Sequence, residues 1–101
     1  MKYKVSISPD GKDEFLNYLQ GASEFGQGTI NTLLDAYDSC IDILEKTPNA
    51  GNGDLAYLPK KYRAIHLFKH YWMIYQIYED NHEVIIEYVV DDRQNYVSFI
   101  H

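Results

Sequence analysis

The chain has one cysteine, Cys40, in 101 residues. An internal disulfide and any multi-cysteine zinc site are therefore excluded, and a reducing compartment fits. Arginine is nearly as scarce, with Arg63 and Arg93 the only two, so any site needing a permanently charged guanidinium must use one or both. No apolar run approaches membrane-spanning length, and Met1 leads into a strand pattern rather than a basic and then apolar leader. Positive charge is in deficit, with 9 Lys and Arg against 15 Asp and Glu and a net charge of -6. That balance argues against a protein held on nucleic acid by its overall field and, with no leader or span, leads us to expect a cytoplasmic protein. Low-complexity segments and internal repeats are also missing.

What is present is apolar and aromatic. Hydrophobic residues make up 46% of the chain and ten residues are tyrosine, a composition that can bury rings while keeping hydroxyls wet. At this length one domain spanning 1–101 and one core are expected. Acidic residues crowd the stretch Asp35, Asp38, Asp42 and Glu45. Lys60, Lys61, Arg63 and Lys69 fall in ten residues without an acid, which reads as a basic patch or as a solvated charged edge.

Tyr3, Val5 and Ile7 alternate with polar residues, the period of a half-buried strand. Ser8 before Pro9 reads as an N-cap and first-turn proline, with Asp10, Asp13 and Glu14 near the positive helix end. Phe15, Leu16, Leu19 and Ala22 are expected to face inward. Gly21, Gly26 and Gly28 bracket a connection, after which Ile30, Leu33, Leu34, Tyr37, Ile41 and Leu44 recur at helical spacing until Pro48. Three strands follow, Tyr62 to Phe68, Tyr71 to Tyr78 and Val84 to Val90, separated by breaks short enough to force antiparallel hairpins. The second is apolar on both parities and is expected at the centre of the sheet. The fold class expected is α+β with order β-α-α-β-β-β, an antiparallel sheet packed on a helical hairpin whose apolar stripes it covers.

Several of these elements carry a resemblance. The opening strand ends in Ile7-Ser8-Pro9, the helical hairpin closes with Leu44 and Pro48, and Tyr62-Arg63 opens the sheet segment. Tyr71, the run Ile74 to Ile77, the strand VIIEYVV and a terminal motif of Asp91, Arg93, Gln94, Asn95 and Tyr96 follow in order. Together they resemble the RelE/ParE superfamily of toxins from type II toxin-antitoxin systems, nearly end to end. The resemblance implies a growth inhibitor neutralised by a cognate antitoxin, acting either on DNA gyrase or as a ribosome-dependent mRNA endoribonuclease, or else a silent relative that only binds its antitoxin. It implies no cofactor or metal.

A ribonuclease of this kind cleaves by attack of a ribose 2'-hydroxyl on phosphate, so it needs cations over the developing charge and a proton source. The candidates are Arg63 and Arg93, expected to meet in one pocket, with Tyr96 or the farther Phe99 as the terminal aromatic. Two positions where such ribonucleases tend to carry basic residues hold Ile65 and Trp72, and this favours the ParE-like, gyrase-directed branch. The antitoxin is expected on a tyrosine-rich face of the sheet, meeting Lys60, Lys61 and Lys69. Blander roles are available: Arg63 paired with a helix carboxylate such as Asp38, Arg93 pinning the terminal turn beside Asp91 and Asp92, Tyr96 at a core edge, and Cys40 as a small buried hydrophobe. His66 with His70 lacks a third metal ligand, and Asp91-Asp92 would point to opposite faces.

Overall fold

In the computed structural model, residues 2–53, 58–94 and 100 are described. The elements are β1 (Lys4–Ile7), α1 (Pro9–Ala22), α2 (Gln27–Lys46), β2 (Arg63–Phe68), β3 (Tyr71–Tyr78) and β4 (Glu83–Asp91), with 3₁₀ turns at Ser23–Phe25 between the helices, at Pro48–Ala50 after α2 and at Glu79–Asn81 between β3 and β4. The sheet order is β1-β4-β3-β2. The two hairpins are antiparallel as expected, whereas β1 pairs with β4 in parallel, so the sheet is mixed. A meander of three strands brings β4 back to the direction of β2. β1, joined to the meander only through the two helices, is free to lie along β4 in that same direction.

Ser8 starts α1 as its sequence suggests. Its hydroxyl accepts the Gly11 N–H at 3.0 Å and donates to the Glu87 carbonyl at 2.8 Å, while its own N–H reaches the Ile86 carbonyl at 2.8 Å. These bonds carry the β4 edge past the point where β1 stops. Glu14 extends it further, its Oε1 accepting the Val89 N–H at 2.9 Å. Burial pushes the Glu14 carboxyl above its ordinary pKa against the opposing pull of that N–H.

The inward stripe of α1 is Gly11, Phe15, Tyr18, Leu19 and Ala22. Leu16, expected inward, is 49% exposed, because it lies about 100° around the helix from Phe15. Tyr18 takes the place instead and stacks on Tyr71 with centroids 4.4 Å apart. On the helix-facing side of the sheet, Met73, Tyr75, Val84, Ile86 and Val89 close over Phe15, Leu33, Cys40 and Leu44. The Cys40 thiol donates to the His66 carbonyl at 3.3 Å and is buried, as expected of a small hydrophobe.

The other face carries a second cluster of Leu58, Tyr62, Ala64, Ile74, Val90 and Ile100, bordered by Trp72 and Tyr88. β3 is thus covered on both sides, with Met73, Ile74 and Tyr75 each no more than 1% exposed. β4 carries an irregularity between the partners of Ile74 and Tyr75, which leaves Glu87 as the extra residue. The Glu87 carboxylate then lies on the outer face, accepting from Gln76 at 3.0 Å and Tyr78 at 3.2 Å.

Candidate functional site

The two arginines do not share a pocket. Arg63 lies opposite Tyr75 and Asp91 opposite Tyr71, four residues apart along β3 and so about 13 Å along the strand. Arg63 sits beyond the C-terminus of α2, where its Nη1 donates to the Gly51 carbonyl at 3.0 Å and reaches the Asn49 carbonyl at 3.5 Å. Arg93 sits by the other end of α2, in a groove that Thr29 and Leu33 also line. The pocket expected of the pair is therefore corrected to two separate sites at opposite ends of one helix.

Each guanidinium is also engaged by its own chain. Arg93 grips Asp91 with two parallel bonds, Nε to Oδ1 at 3.0 Å and Nη2 to Oδ2 at 2.7 Å, and its backbone N–H adds a third at 2.9 Å. This fork-on-fork geometry suits a carboxylate. Hydrogen bonds from Arg93 hold the Asp91 carboxyl below its usual pKa, and the pairing raises that of Arg93 in turn. The Asp91 side chain is 6% exposed and that of Arg93 60%, so the pair anchors the end of β4 while the outer nitrogen of the guanidinium meets solvent. Asn95, Tyr96 and Phe99 of the terminal motif lie outside the described residues.

At the Arg63 end the organising side chain is Tyr75. Fully buried, its hydroxyl donates to the Pro48 carbonyl at 2.6 Å and accepts the Gly51 N–H at 3.0 Å. Burial raises its pKa, opposed by that N–H and by the Arg63 charge. Gly51 must be glycine here, since a Cβ would stand 2.5 Å from the Tyr75 oxygen and 2.8 Å from the Ala64 carbonyl. Asn52 then bonds Ala64 through both backbone groups, at 2.8 and 2.9 Å, covering the outer edge of β2. Arg63, Tyr75 and Gly51 together moor the loop to the sheet, and Asp38 takes no part.

The three lysines divide as well. Lys60 and Lys61 precede β2, with the Lys61 ammonium 5.0 Å from the Tyr62 ring. Lys69 lies in the tight β2–β3 turn at φ 51°, its ammonium 5.4 Å from the Phe68 ring. The outer face is as tyrosine-rich as the sequence implied. Tyr62 and Tyr88 meet edge to face at 6.1 Å, and His66 and Trp72 do so at 5.1 Å. His66 and His70 do not converge. Nε2 of His66 contacts the Lys69 carbonyl at 2.8 Å, whereas His70 Nδ1 lies 3.3 Å from Asp92. Asp92 also accepts from Trp72 Nε1 at 3.0 Å, and among the described residues no group of three potential ligands could hold a metal.

The open groove at the second end was not foreseen. It occupies about 450 Å3 between the helix connection and the β2–β3 turn, with Phe25, Leu33, Phe68 and Tyr71 as apolar lining and Glu24, Lys69, His70 and Arg93 as polar lining. Phe25 is 79% exposed. An aromatic residue between Glu24 and Gly26, in a connection too short to bury it, was the available signal.

A mixed four-stranded sheet in this order, packed on a helical hairpin, can be compared with solved structures. The chromosomal ParDE toxin-antitoxin system of P. aeruginosa superposes with a TM-score of 0.71 at 11% identity, covering 89% of this chain and 96% of that one. The chain has the RelE/ParE toxin fold. A YoeB/ParE toxin from Agrobacterium tumefaciens gives a TM-score of 0.59 at 16% identity, over 87% and 96% of the two chains. The intact E. coli RelBE toxin-antitoxin complex gives 0.57 at 18%, over 88% and 95%. No protein-family model and no curated protein sequence matches the chain. Within this fold, none of the described helices is long and apolar enough to cross a membrane.

Proposed function

We propose that this chain is the toxin subunit of a type II toxin-antitoxin pair, acting in the cytoplasm as a ParE-like, non-nucleolytic inhibitor directed at DNA gyrase. One observation carries the choice of branch: both guanidiniums are engaged by the chain itself, Arg93 by Asp91 and Arg63 by the Gly51 carbonyl. Phosphodiester cleavage calls for preorganised cations where negative charge develops, and one such donor is worth about 3 kcal/mol. An arginine already forked onto a carboxylate supplies little of that field. Ile65 and Trp72, apolar and aromatic where charge would help, favour the same branch. The toxin role itself draws on the likeness to ParDE and RelBE.

The cognate antitoxin lies on the outer sheet face in this reading, with the half-buried rings of Trp72, Tyr78 and Tyr88 at its surface and the exposed Lys60 and Lys61 beside it. An acidic amphipathic segment matches that chemistry. Inducible expression without antitoxin tests the function. Growth arrest with a DNA-damage response and gyrase-linked breaks supports it, rapid loss of translated messages assigns the ribosome instead, and unimpeded growth marks a silent relative. Replacing Lys60 and Lys61 together with alanine is expected to weaken the antitoxin complex about tenfold and flatten its salt dependence. Unchanged affinity and salt dependence place the antitoxin elsewhere.

A further inference from the structure

We propose that the groove at the helix connection is a self-association surface, filled by Phe25 of a second copy of this chain. The patch carries a knob and a recess side by side. Phe25 stands 79% exposed on the connection, and the groove beside it is lined by Leu33, Phe68 and Tyr71. A twofold axis through such a patch places each Phe25 in the other copy's recess, the isologous arrangement in which one surface complements itself.

Charge selects a second copy over a uniformly acidic or basic partner. Glu24 and Lys69 both line the groove, and neither has an ionic partner among the described residues. Arg93 is forked onto Asp91, and His70 Nδ1 lies beside Asp92. One open anion and one open cation remain on the same patch. A partner of a single sign would satisfy one and repel the other, whereas a twofold copy brings Glu24 against Lys69 twice. Ile100 is buried in the outer-face cluster, on the other side of the sheet from this recess.

The contact is small. A single aromatic anchor buries about 150–250 Å2 per side, well short of the roughly 800 Å2 per partner of a stable interface. The dimer is therefore weak, with a Kd on the order of 10–100 µM.

Sedimentation equilibrium of the purified full-length chain, without antitoxin, tests this. The wild type is expected to dimerise in that range. Phe25→Ser should raise Kd at least tenfold with an unchanged circular dichroism spectrum, since the side chain is already in solvent. Glu24→Lys and Lys69→Glu should each be monomeric alone, yet form a heterodimer when mixed, because the mixture restores both opposite-charge contacts. A wild type that stays monomeric at about tenfold above the expected range, or a dimer that survives Phe25→Ser, overturns the proposal. Failure of the mixed variants to associate overturns it too. So does a monomeric chain whose antitoxin affinity falls with Phe25→Ser, which would assign the groove to that partner. The inference does not rest on the proposed toxin activity, because loss of Lys60 and Lys61 bears on the outer face and leaves this equilibrium unchanged.

Discussion

The two ends of the helix-facing side of the sheet contain similar parts, an arginine, a tyrosine and a turn, and use them differently. At one end Tyr75 is fully buried, its hydroxyl is matched to one carbonyl and one N–H, and Arg63 covers the loop that Gly51 lets come close. At the other, Tyr71 stacks on Tyr18 at the margin of an open groove, Arg93 is fixed on Asp91, and Phe25 is left in solvent. The first end holds the fold together by pairing the buried Tyr75 hydroxyl with the Pro48 carbonyl and the Gly51 N–H, and the Gly51 carbonyl with Arg63. The second leaves a recess and an aromatic side chain uncovered.

Substitutions at each end should break that contrast in order of size. Tyr75→Phe strips partners from the Pro48 carbonyl and the Gly51 N–H within the core and is expected to cost about 2 kcal/mol, read as a lower urea midpoint at constant slope. Asp91→Asn acts at the other end and through pH. The folded pKa of Asp91 is depressed, so its contribution is present above the unfolded value, about 3.9, and is lost as pH falls through the folded one. The variant should therefore be less stable than wild type at pH 7 and converge on it in strong acid, as followed by thermal melts across pH. Phe25→Ser should change folding stability by less than about 0.5 kcal/mol. A large loss there would mean that Phe25 packs on the fold and would erase the difference between the ends.

Much of the fold was legible because local signals and the hydrophobic period agreed. Ser8-Pro9 placed the helix start, and the double-parity run Trp72 to Ile77 placed β3 at the centre. Register was harder to read. Whether Arg63 and Arg93 meet depends on how far along β3 each partner strand lands, and one-residue irregularities near Leu67 and at Glu87 shift the pairing without a compositional mark. The direction of β1 was hidden too, because it depends on how two helices return the chain. The mooring by Tyr75 and Gly51 joins residues 24 apart in sequence, a distance at which no periodic pattern extends. Leu16 misled because one position of helical phase separates inside from outside.

The Glu14 carboxylate receives the Val89 amide proton across 75 positions of sequence, so deuterium uptake at that one amide measures whether the first helix is seated. Burial keeps the carboxyl reluctant to ionise, and a neutral acid is a poorer acceptor than its anion. Isotope exchange at Val89, corrected for its intrinsic rate, should accelerate on acidification before its strand neighbours respond, making a single backbone position an early gauge of helix undocking.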